Sequence, residues 1–208
     1  MRSLYALGIA YTAVWGVVAY RVTRATPAPT SAPSPVAPAG EPSGPAGWFQ
    51  SMKPYCNSVE VETMMRQTPA PAGMQGAGYG AACYALAGRI DQARSLITAL
   101  PSGERGQASA ILFDVGHPVA DAGDDRSAGP IMELVLEFWP ENYMALYHAG
   151  MSEYMLGQRE LATRNLEAFL ELYHENDGWR SNGLEVLARL RDSTAARTDA
   201  RRPREPEA

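Results

Sequence analysis

The stretch Gly150-Met-Ser-Glu-Tyr-Met-Leu-Gly157-Gln-Arg-Glu-Leu-Ala162 (GMSEYMLGQRELA) decides the fold. Two glycines seven residues apart, followed by an alanine five further on, interrupt a run otherwise suited to helix. Glycine inside a helix costs roughly 0.5–1 kcal/mol relative to alanine, so its recurrence at set places needs a structural cause. Counting back 34 residues from Gly157 reaches Gly123, and a further 35 reaches Gly88 in YALAGRIDQA. Around Gly88 the small residue seven earlier is Ala81 and the alanine five later is Ala93. Around Gly123 the earlier residue is Gly116, and Ser127 or Ala128 stands for the later alanine. Pro71 and Pro140 each precede a helical segment. A period of this length marks an array of supersecondary units.

The spacing resembles the tetratricopeptide repeat (TPR), a helix-turn-helix unit of about 34 residues, over residues 58 to 192. The resemblance implies that Gly150 and Ala162 are contact points between helices and that Gly157 occupies a turn with a left-handed backbone. The match is closest for 141–175 and weakest for 105–139, where VADAGDDRSAG is expected to lengthen the turn. The tryptophan common near the start of such units is missing from its usual place.

Apolar residues recur at helical spacing throughout this region, and strand-type alternation is absent. Ile131, Leu134, Val135 and Phe138 form one row, with Met132, Leu136 and Trp139 beside it, so this helix is expected to be deeply buried. The expected fold is all-α, a TPR-like α-solenoid of about three helical hairpins: a helix near 58–67, pairs at 74–87 with 90–100, 105–117 with 128–139 and 141–156 with 158–175, and a last helix near 181–192. In that cap Leu184, Val186, Leu187 and Leu190 are expected to face inward, with Glu185, Arg189 and Arg191 outward.

Residues 1–24 and 25–47 read differently. Ser3 to Tyr20 is an apolar run without a charge, at the lower edge of what crosses a bilayer as a helix of about 20 residues. Arg21 and Arg24 follow it like a stop, so 1–24 reads as a membrane anchor, with an uncleaved or cleavable signal peptide as the alternative. LYALGIAYTAVWGVVAYRVTR also resembles the short helix of the CcmD-like proteins of cytochrome c maturation. Of the 16 prolines, seven fall between Pro27 and Pro45, which marks 25–47 as a Pro/Ala-rich linker. The helical-repeat domain is assigned to 48–192, and 193–208 (STAARTDARRPREPEA) to a disordered charged tail.

Net charge is −5, and residues 41 onward carry −8 because Arg2, Arg21 and Arg24 lie before them. Such a surface repels phosphate backbones, so nucleic acid is excluded as a partner class. Seventeen arginines against the single Lys53 reflect genome composition. Cys56 and Cys83 suit either one disulfide in an oxidising compartment or two buried thiols.

No phosphate loop, nucleophile elbow, HExxH or clustered Cys/His set is present, so no catalytic residue, cofactor or metal is assigned and the chain reads as a binding protein rather than an enzyme. With only His117, His148 and His174, any histidine site has to be assembled from different units. The loop HPVADAGDD offers His117, Asp121, Asp124 and Asp125 to a cation, but lacks EF-hand spacing. Helix capping by Asp124, Asp125 or Ser127 explains it more simply.

Met144, Tyr147, Met151 and Tyr154 form a stripe along one helix, at positions that the resemblance places in a concave partner groove. The same positions fall on Phe113 and His117 in the middle unit, and on Gln75, Gly78, Ala82 and Ala85 in the first, where the groove is expected to be open. Core packing, or cover by the chain's own 48–55 segment, is the alternative for this stripe. The expected function is therefore a membrane-tethered scaffold or adaptor for a protein or peptide segment at a bacterial inner membrane, with the periplasmic side expected for the repeats. Arg2 balances Arg21 and Arg24, so charge does not decide the side, and a CcmD-like orientation would place the repeats in the cytoplasm. An accessory subunit of a membrane complex, a cytochrome c maturation factor and a metal-dependent enzyme are the alternatives.

Overall fold

The structure, a computed structural model, describes the backbone of residues 44–201 and the side chains of residues 44–192. The expected anchor and most of the linker lie outside the described residues, and no described helix is long and apolar enough to cross a membrane. The described chain is all-α. Its helices are α1 (Pro45–Met52), α2 (Val61–Gln67), α3 (Met74–Leu86), α4 (Ile90–Thr98), α5 (Ser102–Asp121), α6 (Asp125–Phe138), α7 (Tyr143–Met155), α8 (Arg159–Leu172) and α9 (Gly178–Arg201), with a 3₁₀ turn at Lys53–Tyr55. The main contacts pair α3 with α4 and α5, α5 with α6, α6 with α7, α7 with α8, and α8 with α9.

Three turns share one geometry. Gly88, Gly123 and Gly157 have φ of 72°, 87° and 74°, and no other residue crowds the place a Cβ would take there, so backbone conformation alone selects glycine. Each turn closes with the same pair of bonds: Gly88 N–H to Ala85 O with Arg89 N–H to Tyr84 O, Gly123 N–H to Ala120 O with Asp124 N–H to Val119 O, and Gly157 N–H to Tyr154 O with Gln158 N–H to Glu153 O. This is the Schellman closure, which satisfies carbonyls that a helix end leaves bare.

The earlier small residues sit where helices cross. A Cβ on Gly150 would lie 2.8 Å from Leu166 Cγ of α8, and one on Gly116 would lie 2.7 Å from Ile131 Cγ2 of α6. Ala81, Ala93, Ala128 and Ala162 have no exposed surface. In α6, Ile131, Met132, Leu134 and Val135 are buried as expected, whereas Trp139, just past its end, is 39% exposed.

Several expectations need correction. The domain starts earlier than 48: Pro45 opens α1, whose Phe49 and Met52 are buried in one cluster with Ala82 and Ala85 of α3. The Pro-Ala-Gly start reads as linker, and burial of Phe49 against Tyr79, ring centroids 5.2 Å apart, makes it helix. The first unit's expected opening is also closed: Ala82 and Ala85 are buried in the cluster that holds Phe49 and Met52, and Gly78 is buried against Ala108 and Ile111 of α5. The expected long turn in the middle unit is instead continued helix. Pro118 sits in the last turn of α5, and only residues 122–124 separate α5 from α6. Leu184 is 50% exposed, while Val186, Leu187 and Leu190 are buried. The backbone of α9 is helical through Arg201, which corrects the disordered tail expected from 193 as far as that residue; the rest of that segment, 202–208, lies outside the described residues.

Cys56 and Cys83 form a disulfide that ties the segment after α1 to α3. Closing a loop whose ends are 27 positions apart constrains the unfolded chain by about 3–4 kcal/mol in the chain-entropy account.

Candidate functional site

Three helices bring titratable side chains to one place. Phe113, His117 and Asp121 recur every fourth residue along α5, so they share one face. After the Gly123 turn, Asp124 caps α6 by accepting from Ser127 N at 3.1 Å, which is the capping role expected of this loop. Asp125 is thereby the first residue of α6. Asn142 caps α7 by accepting from Ala145 N at 3.0 Å, and His148 follows in the second turn of that helix.

His148 is 1% exposed, and its Nδ1 lies 2.7 Å from Asp125 Oδ1. Asp121 Oδ1 is 3.4 Å from His117 Nε2 and 3.7 Å from His148 Nε2. Both Nε2 atoms are buried without a hydrogen-bond partner. The two imidazoles meet edge-on, with centroids 5.2 Å apart. Aromatic rings complete the enclosure: Phe113 stacks on His117 at 4.7 Å, while Tyr147 and Trp179 meet His148 edge-on at 5.1 and 5.5 Å. Burial pushes the His117 pKa below its ordinary value, against the Asp121 charge, which favours the imidazolium, and with the help of His148.

The stripe expected on α7 divides between interior and surface. Tyr147 is 4% exposed, lies against Phe169 and Trp179, and accepts a hydrogen bond from Asn182 Nδ2 at 2.5 Å. It is therefore a core residue covered by α9. Met151 and Tyr154 are half-buried against the Leu166–Phe169 cluster, and Met144 is half-buried near the start of α7. Of the six residues expected to bind a partner, Phe113 and His117 belong to the histidine cluster. His117, Asp121 and Asp125 stand together in the sequence as candidate cation ligands of the HPVADAGDD loop, but no sequence spacing links His148, 31 residues after His117, to them. For His148 the one available signal is that a histidine site had to draw on different units.

Elsewhere, Val115, Pro118 and Val119 of α5 and Ala122 just past its end line a cleft of about 550 Å³ with Phe49 and Lys53 of the α1 region and Leu86 of α3. Asp114 and Asp124 contribute acidic groups to it.

A second buried ionisable group lies on α7. Glu153 is 2% exposed and accepts from Asn165 Nδ2 of α8 at 2.8 and 2.9 Å, one bond to each carboxylate oxygen. Burial raises its pKa to about 7; the Asn165 bonds and Arg164 oppose that rise, and Glu133 adds to it.

No family model, no curated protein and no solved structure matches the chain.

Proposed function

We propose that this chain is a membrane-tethered, TPR-like helical scaffold that holds a segment of another protein, on the periplasmic side of a bacterial inner membrane. The observation that carries this reading is the cleft between the α1 region and α5, with walls from Phe49, Leu86, Val115, Pro118 and Val119 and charges from Lys53, Asp114 and Asp124. Its volume, about 550 Å³, falls within the range of roughly 300–1,000 Å³ in which concave sites hold a ligand or an anchoring side chain. The ligand it fits is an extended or helical segment with one large apolar side chain. The Cys56–Cys83 disulfide supports an oxidising compartment. An anchor at 1–24 adds effective concentration for any partner at the same bilayer.

Val119 is half-buried in the cleft wall, so Val119→Arg places a charge in the opening without removing a core side chain. Cross-linking in native membranes is expected to yield a defined partner adduct that falls at least tenfold in Val119→Arg while far-UV helicity stays unchanged. Equal adduct in both proteins rules the cleft out. Tyr147→Ala does not serve as this test, because it removes a core ring.

A further inference from the structure

A histidine ligates a metal through the nitrogen that carries no proton, and the partner of its other nitrogen decides which one that is. In His148 the choice is made by Asp125: a carboxylate oxygen 2.7 Å from Nδ1 can only accept, so Nδ1 carries the hydrogen, and in the neutral ring Nε2 is the nitrogen that presents a lone pair. That nitrogen is on a side chain 1% exposed, has no hydrogen-bond partner, and lies 3.7 Å from Asp121 Oδ1. His117 Nε2 is likewise buried and without a hydrogen-bond partner, 3.4 Å from the same oxygen. Polar atoms buried in this way are costly and rare unless something absent from a bare chain satisfies them.

We propose that His117, Asp121 and His148 bind a divalent transition-metal ion of the zinc class, with Asp125 orienting His148 from behind. One ligand atom from each of the three residues lies within 4.8 Å of the others. Metal–ligand bonds of about 2.0–2.1 Å in a tetrahedron need ligand atoms about 3.3–3.5 Å apart, so the two contacts of Asp121 are near that already. The remaining gap closes by movement of side chains of which Asp121 is 45% exposed and His117 24% exposed. Two imidazoles and one carboxylate suit zinc, nickel, copper or iron rather than calcium or magnesium, which prefer all-oxygen shells. The carboxylate–histidine arrangement of Asp125 and His148 is the outer-shell device that fixes tautomer and ring direction in metal centres. Three protein ligands leave a fourth position for water or for a donor atom from a bound segment. The exposed side of Asp121 is the entry path. The site does not depend on the partner cleft.

The competing account is a protonated His148 held between Asp121 and Asp125 as a purely structural ion pair. The two are separated by titrating Zn²⁺ into the full-length chain, purified tag-free and metal-free in mild detergent, and by recording the visible absorption of its Co²⁺ complex. One equivalent of Zn²⁺ is expected to bind, and Co²⁺ is expected to give absorption bands that His117→Ala abolishes. His117→Ala and Asp121→Asn alter partly exposed side chains and are each expected to weaken Zn²⁺ binding at least tenfold. Asp125→Asn is expected to weaken it about tenfold to a hundredfold with helicity retained. His174→Ala, at an exposed histidine outside the cluster, is expected to change nothing. No Zn²⁺ binding to the wild-type chain, or binding that His117→Ala and Asp121→Asn leave unchanged, overturns the proposal in favour of the ion pair.

Discussion

The two hydrophobic clusters of this domain are built by opposite means. From α1 to one face of α7, alanine is the commonest buried residue of the first cluster: Ala81, Ala82, Ala85, Ala87, Ala93, Ala108, Ala145 and Ala149, with Phe49, Met52, Leu112 and Met132 among the larger groups. Between α7 and α9 a few large rings fill the space, with Tyr147 and Phe169 buried and Tyr173 and Trp179 packed against them. Small side chains let helix backbones approach closely, but each removes little apolar surface from water. At about 25 cal/mol per Å², an alanine contributes far less than a ring that buries 150–250 Å². The alanine-rich cluster holds the disulfide, which contributes by restricting the unfolded chain rather than by burial. One region is held by proximity and a covalent tie, the other by ring packing.

The largest effect is expected from Phe169→Ala, which empties a site with no exposed surface beneath Tyr147 and Tyr173. A loss of about 3–5 kcal/mol in urea unfolding is expected. Hydrogen exchange should rise first in α8 and α9. Equal loss of protection in α3 and α4 would break the comparison, because the two clusters would then open as one unit.

Removal of the disulfide by Cys56→Ala with Cys83→Ala comes next, with a loss of up to about 3–4 kcal/mol. Its mark should be faster exchange in α1 to α3 with α7 to α9 unaffected. An unchanged urea midpoint would show that the alanine-rich packing suffices alone.

The smallest expected effect is a pH dependence in the ring-packed region. Since burial raises the Glu153 pKa to about 7, the folded state holds that proton more tightly than the unfolded chain does. The resulting stability is fully present below the ordinary glutamate pKa of about 4.3 and is lost as pH rises through about 7. Glu153→Gln has no charge to bury, so its melting temperature relative to wild type should climb between pH 5 and pH 8. A constant difference over that range would mean that Asn165 and Arg164 keep the carboxylate ionised throughout.

Legibility followed locality. The turn glycines were readable because a left-handed φ at a helix end is a local demand that one residue type meets. Gly116, Gly150 and the buried alanines were readable because they recur at the same offsets from those turns. Phe113 and His117 were singled out as groove positions carried over from the repeat resemblance, and the structure stacks the two on one face of α5. Their partners were not, since Trp139 lies beyond the end of the next helix and His148 one unit further on. The stripe on α7 misled for a related reason. Periodicity puts Tyr147, Met151 and Tyr154 on one face, but nothing in that periodicity tells whether α9 covers it.

By itself, then, the amino-acid sequence determined an all-α chain and the three glycine turns, which follow from backbone geometry within a few residues, while the small residues at the crossings were read from the repeat resemblance. Only the tertiary structure decided that α1 fills the first unit, that Trp179 and Asn182 cover Tyr147, and that His117, Asp121, Asp125 and His148 meet. Those outcomes depend on which helix faces come together, and burial, unlike a turn, is a property of the partner as much as of the residue buried.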